Sequence, residues 1–260
     1  MRALVLLVTG CGRVAFEPPG STDALADDCP GAIGHNEDVD FVDDGCDLCP
    51  HVYELEPGDA DGDGVGDSCD PDPAVPRERI VFFDGFGTLE PEWEVRGTSA
   101  ISELRDDFYF ADARNQEQLV LVRNYTPGRD TFVVGGRFGA ASPTGARQIA
   151  AAFSAVAAPG AVTYYCELYG NDTTTRLGAT QHDGNVYTGN NAPVALPPLE
   201  NEAFTLTLAH VPSVDYRCAT TWGIGTTIAN TIPGWTANAF SVFGGNFELA
   251  IDYVLQIRTE

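Results

Sequence analysis

Between residues 59 and 70 the chain reads Asp59-Ala-Asp-Gly-Asp-Gly-Val-Gly-Asp-Ser-Cys-Asp70, which puts carboxylates at positions 1, 3, 5, 9 and 12 of a loop. Left bare, such closely spaced acids repel one another. A loop with this spacing closes round a cation, and calcium, which takes about six to eight hard oxygens, is the ion it suits. Gly64 stands at position 6, where the chain must turn sharply, and Val65 at position 7, which supplies a backbone carbonyl. The expected ligands are therefore Asp59, Asp61, Asp63, the Val65 carbonyl, Asp67 and Asp70, wrapped round one centre. No amphipathic helix flanks the loop, position 12 is Asp rather than Glu, and prolines follow Cys69. The helix–loop–helix form is thereby excluded.

The same frame recurs 23 residues upstream. Asn36, Asp38, Asp40, Val42, Asp44 and Asp47 match Asp59, Asp61, Asp63, Val65, Asp67 and Asp70, and Cys46 matches Cys69. Val39, Phe41 and Asp43 replace Gly62, Gly64 and Gly66, so the upstream copy is expected to be the weaker site. Cys29-Pro30 and Cys49-Pro50 open the two units.

Seventeen of the chain's 38 carboxylates lie between Asp23 and Asp72, a stretch with no Arg and with only His35 and His51. The net charge of -24 leaves no basic stripe for phosphates, which excludes nucleic acid as a partner.

The chain opens Met1-Arg2, continues as the apolar run Ala3 to Val8, and reaches Thr9-Gly10-Cys11. This resembles a bacterial lipoprotein signal over residues 1–10, with Cys11 lipidated and the membrane reached through that lipid alone. The reading implies export, to the cell envelope and the outer face of an outer membrane. Residues 11–27 follow as a tether with Pro18, Pro19, Gly20 and Ser21. Of seven cysteines, Cys11 set aside leaves six, an even number suited to disulfides in an oxidising compartment.

Beyond the acidic segment, residues 28–76, the pattern has period two. Phe247, Leu249, Ile251, Tyr253, Leu255 and Ile257 share one face, as do Phe204, Leu206 and Leu208, and Phe132, Val134 and Phe138. Gln148 to Ala158 is Ala-rich, yet its apolar residues alternate too and it reads as a strand. Residues 77–260 are thus expected to form an all-β antiparallel sandwich or barrel. Val162, Tyr164, Cys166 and Leu168 point one way in one strand, and Val214, Tyr216, Cys218 and Trp222 in another. The two cysteines are expected to bridge across the core, the alternative being a pair of buried thiols.

The acidic units resemble the type 3 repeats of thrombospondins. In that family each Cys-Pro cysteine pairs with the cysteine after the next loop, which implies Cys29–Cys46 and Cys49–Cys69 here. Phe83-Asp84-Gly-Phe86, then Leu89-Glu-Pro-Glu-Trp93, resembles the opening of a concanavalin A-like jelly roll, and Phe247 to Ile257 its closing strand. The resemblance implies a lectin-like β-sandwich behind a calcium-bound, disulfide-clipped segment.

Some jelly rolls are glycosidases, which place two carboxylates beside the scissile bond. The nearest pair here is Glu248 and Asp252, without the intervening acid, and no nucleophile elbow or zinc cluster is present, so an enzyme is not expected. The polar stretch from Tyr169 to Ala192 offers Asn171, Asp172, His182, Asp183 and Tyr187 as candidate contacts for a glycan or an extracellular protein. Adhesion or glycan binding leads; a structural envelope component and a degenerate glycoside hydrolase are the alternatives. The sandwich has its own apolar faces, so it is expected to stay folded whether or not calcium compacts the acidic segment.

Overall fold

The computed structural model describes residues 30–97, 101–105, 107–114, 118–126, 128–141, 147–154, 163–170, 175–182, 187–194, 202–211, 215–221, 226–230 and 238–260. The expected leader, the tether, Cys11, Cys29, Val162, Asn171, Asp172, Asp183, Val214 and Trp222 lie outside them.

Residues 30–77 form turns and bends with no strand, because their backbone N–H groups are taken by carboxylates two to ten residues away. Strands begin at the chain's change of pattern. They are β1 (Glu78–Asp84), β2 (Trp93–Gly97), β3 (Ile101–Arg105), β4 (Phe108–Asp112) and β5 (Gln118–Asn124). Next come β6 (Arg129–Ala141), β7 (Arg147–Ser154), β8 (Thr163–Gly170), β9 (Thr175–His182) and β10 (Tyr187–Val194). The last are β11 (Ala203–Val211), β12 (Asp215–Thr220), β13 (Thr226–Asn230), β14 (Ala239–Gly245) and β15 (Phe247–Thr259).

They make two antiparallel sheets. One runs β13-β12-β11-β6-β15-β4-β3, with β1 also pairing to β15; the other runs β10-β9-β8-β7-β14-β5-β2. The two flanks of β15 differ: β6 pairs along one, while β4 takes Glu248 to Ile251 and β1 takes Val254 to Thr259 on the other. Alternate residues fill the space between the sheets, including Phe132, Val134, Phe138, Leu168, Leu177, Leu206, Phe240 and Phe247. Of the Ala-rich stretch, residues 148–154 lie in strand β7, paired with β8 and β14, and 155–158 fall outside the described residues.

The expected single face of β15 breaks. Its register against β6 shifts between Ile251 and Tyr253. Phe247, Leu249, Ile251 and Val254 face the main core, whereas Leu255 and Ile257 turn outward to join Val133 and Val65 in a second cluster. A bulge adds one residue to a strand and so exchanges its faces.

That second cluster is where the acidic segment docks. Val65 is 0% exposed, packed with Val133, Leu255 and Ile257 and flanked by Ile80, Phe83 and Tyr253. His51 lies against Tyr253 with ring centroids 4.8 Å apart. The acidic segment thus packs against the sandwich: the outward face of β6 and β15 is apolar there, and Val65 covers it.

Candidate functional site

The two acidic loops are superposable in their hydrogen bonds. Asn36 Oδ1 accepts Val39 N–H at 2.7 Å, as Asp59 Oδ1 accepts Gly62 N–H at 2.7 Å. Asp40 and Asp63 accept Val42 and Val65 N–H at 2.8 and 3.0 Å. Asp47 and Asp70 accept Cys49 and Asp72 N–H at 2.8 and 2.7 Å. The backbone is the same as well: Val39 (φ 64°) and Phe41 (φ 83°) adopt the left-handed turn that Gly62 (φ 82°) and Gly64 (φ 94°) adopt without a side chain. The upstream copy therefore keeps the loop at a cost of strain.

Three carboxylate groups converge closely enough to share a cation: Asp38, Asp40 and Asp47; Asp59, Asp61 and Asp63; and Asp63, Asp70 and Glu78. The buried Oδ2 atoms of Asp38, Asp47, Asp61 and Asp70, with Glu78 Oε2, have no hydrogen-bond partner. Buried acceptors left without a donor are costly, and a hard cation is the partner that carboxylates alone suit. Without one, burial and then the charge of Asp40 raise Asp38 to about 7, and burial raises Asp47 to about 6. These residues fit calcium.

Two expected ligands stand elsewhere. Asp44 accepts Glu37 N–H at 2.8 Å and pairs with His35 Nδ1 at 2.5 Å, and Asp67 accepts Ala60 N–H at 2.9 Å. Both carboxylates staple the loop's own backbone and lie outside the three groups. Val65 sends its side chain into the docking cluster, and Val42 is likewise largely covered. Glu78, the first residue of β1, joins one of these groups and was not legible as a candidate because it lies beyond the loop motif.

Cys49 and Cys69 form a disulfide, and Cys46 is disulfide-bonded too, its expected partner Cys29 lying outside the described residues. The expected Cys166–Cys218 bridge is corrected: both are free, buried thiols. They stand in opposite sheets, on β8 and β12, and Cys218 Sγ reaches across to Tyr165 O at 3.8 Å. Cys166 Sγ donates to Thr207 O at 3.2 Å, and burial, then Cys218, holds its thiol well above the usual range.

A second site lies on the outward face of β7 to β10, a cavity of about 430 Å³ lined by Gln148, Glu167, Tyr169, Thr180, Thr188, Gly189 and Asn191. Because Tyr164, Cys166 and Leu168 face the core, Glu167 and Tyr169 must face out. Glu167 is only 5% exposed, accepting from Thr180 Oγ1 at 2.7 Å and from Gln148 Nε2, and burial raises its pKa. Tyr169 OH donates to Asn191 Oδ1 at 2.8 Å along the rim. The opposite residue on β9 is Gly178, where a Cβ would stand 3.0 Å from both the Glu167 and Asn191 side chains. The floor is open because that side chain is missing.

Of the expected contact residues, His182 ends β9 and pairs with Tyr187, which opens β10, at the far end of this hairpin. Glu248 and Asp252 lie on the other sheet, bound by Arg114 at 2.8 Å and Arg137 at 3.3 Å. Tyr169, Thr180, Thr188, Gly189 and Asn191 fall within the polar stretch read from the sequence, whereas Gln148 and Glu167 were missed because single polar residues on separate strands carry no local motif.

No protein-family model matches the sequence, and no curated protein matches it. In structure the chain is similar to the CBM2 module of an evolved Dit protein of Lactobacillus casei phage J-1, with a TM-score of 0.55 and 8% identity over 70% of this chain and 96% of that one. It is also similar to a β-glucanase of Bacillus licheniformis, with a TM-score of 0.51 and 11% identity over 69% of this chain and 98% of that one. An immunostimulatory antigen and pseudo β-1,3-glucanase of Mycobacterium tuberculosis gives a TM-score of 0.51 and 15% identity, over 70% of this chain and 99% of that one. The sandwich is a concanavalin A-like jelly roll. At these identities the likeness speaks for the fold alone. Asp84 is buried and accepts Trp93 Nε1 and Phe86 N–H, each at 2.7 Å.

Proposed function

We propose that this protein is an exported, calcium-stiffened carbohydrate-binding module, held at the cell envelope through Cys11 and gripping a neutral glycan in the groove of β7 to β10. The observation that carries the reading is the Glu167 constellation. A buried carboxylate held by Gln148 and Thr180, under a rim of Tyr169 and Asn191, offers hydrogen-bond acceptors, donors and an aromatic ring side by side. Sugars bind through that mixture. The jelly-roll neighbours, a CBM2 module and two glucanase-like proteins by their titles, point to the same ligand class.

Binding without turnover is the favoured form. Glycoside hydrolysis uses two carboxylates flanking one bond, and Glu167 is the one acid among the described residues that line the groove. Affinity electrophoresis of the full chain through gels cast with soluble β-glucans tests this. We expect retarded migration that Tyr169→Ala abolishes, and no release of reducing sugar. Migration unaffected by any neutral polysaccharide would sink the binding reading, and steady reducing-sugar release abolished by Glu167→Gln would replace it with an enzyme.

A further inference from the structure

The upstream unit turns a group of apolar side chains to solvent. Val39 is 71% exposed and Phe41 54%, and Tyr53 and Leu55 are exposed to a similar degree. With Ile33 they make five of the eight large apolar side chains exposed among the described residues, so this exposure is gathered in one unit, whereas single exposed apolar residues scattered over a surface are ordinary. Glu54 N–H donates to Asp40 Oδ2 at 3.3 Å, and Asp40 stands between Val39 and Phe41. Residues 53–55 therefore lie beside the tip of the loop, and the four side chains share one neighbourhood.

The repeat does not require these residues. In the 23-residue frame their counterparts are Gly62, Gly64, Pro76 and Glu78. The same backbone forms on glycine at φ 82° and 94°, whereas Val39 and Phe41 hold it at 64° and 83° against the clash of a Cβ. Neither side chain offsets that strain by burial, since both stand in water. Backbone strain that the fold itself does not compensate gathers at ligand-contacting sites. Contiguous exposed apolar surface likewise marks a contact for a partner.

Charge chooses the partner. Residues 30–76 hold no Arg or Lys, and Asp38, Glu54 and Glu56 border the patch in sequence. A second copy would bring an equally acidic rim against this one. A membrane surface is bound by apolar residues interleaved with Lys or Arg, and this patch has carboxylates in their place. A polypeptide whose apolar side chains are set among Arg or Lys complements both features. We propose that Val39, Phe41, Tyr53 and Leu55 form a docking patch for a basic, apolar segment of a partner protein, on a different part of the chain from the groove of β7 to β10.

The test is fluorescence anisotropy of two labelled synthetic peptides titrated with the full chain, one alternating Leu with Arg and one alternating Ser with Arg. Their charge is equal, so the ratio of affinities separates apolar contact from bulk attraction to an acidic chain. Wild type should prefer the Leu–Arg peptide by at least about tenfold. The combined variant Val39→Gly/Phe41→Gly should bring the ratio to about one while melting above wild type, because glycine suits the left-handed turn. Tyr53→Ser/Leu55→Ser leaves that turn intact and should lower the same ratio. A wild-type ratio near one, a ratio that either variant leaves unchanged, or glycine variants that melt below wild type overturns the patch. Flotation with phosphatidylcholine vesicles that the glycine variant abolishes would assign the surface to a membrane instead. A wild-type dimer in sedimentation that the same variant dissociates would assign it to a second copy, and either result replaces the partner protein.

Discussion

Asp63 Oδ2 accepts the backbone N–H of Glu78 at 2.6 Å, so the central acid of the downstream loop is fixed by the first residue of the jelly roll. The same oxygen takes Arg77 N–H at 3.0 Å. Asp63 is thus an acceptor for three backbone donors, Val65, Arg77 and Glu78, and a member of both downstream carboxylate groups. Asp63→Ala should abolish downstream calcium binding and destabilise the calcium-loaded chain by about 2–4 kcal/mol, since three donors lose their acceptor. Urea melts in calcium measure this, and a loss confined to calcium affinity would show that the junction holds without it.

Val65 fills the outward cluster with Val133, Leu255 and Ile257. Truncating it to Ala should cost about 1–3 kcal/mol through lost burial and the cavity left behind. Hydrogen exchange should then quicken along Leu255 and Ile257 while Phe247 and Leu249, on the other side of the bulge, stay protected. Uniform quickening would contradict a separate docking cluster.

Val39 is β-branched, exposed and left-handed, with φ 64°. Val39→Gly should relieve about 1–2 kcal/mol of backbone strain and tighten calcium at Asp38, Asp40 and Asp47. A calorimetric titration that shows no gain at the upstream site would mean the strain is not carried there.

Burial alone lowers His51 to about 4, and its ring lies against Tyr253. In the unfolded chain a histidine titrates near 6.5. The unfolded state therefore binds the proton first, stability is full above about 6.5, and it falls as pH drops toward 4. His51→Phe should flatten that window in stability measured against pH. An unchanged slope would assign the acid sensitivity to other groups.

Cys166 and Cys218 should both react with a thiol reagent in denaturant and resist labelling in the folded protein, because both are buried. Finding neither reactive in denaturant would restore a bridge.

Glu167 carries a raised pKa from burial. Its neutral form is the one favoured on folding, so the stabilisation it gives is complete below about 4.3 and is lost as pH rises through the raised value. Glu167→Gln should remove this term, and stability that keeps its slope there would place the cause elsewhere.

The sequence by itself determined what is local. Carboxylates two or three residues from an N–H close Asx turns whatever surrounds them, so the loop at residues 59–70 and its copy 23 residues upstream could be read directly. Alternation likewise determined the strands, since side chains on a pleated backbone repeat every two residues. Tertiary structure decided whatever joins remote pieces of chain. The bulge between Ile251 and Tyr253 sends Leu255 and Ile257 outward, which a period-two pattern cannot announce because it assumes an unbroken register. Glu78 becomes a partner of Asp63 and Asp70 only when β1 is paired to β15. The groove exists only when β7 to β10 lie side by side, bringing Gln148, Glu167, Thr180 and Asn191 together from strands whose order in the sheet is set by pairing, not by composition.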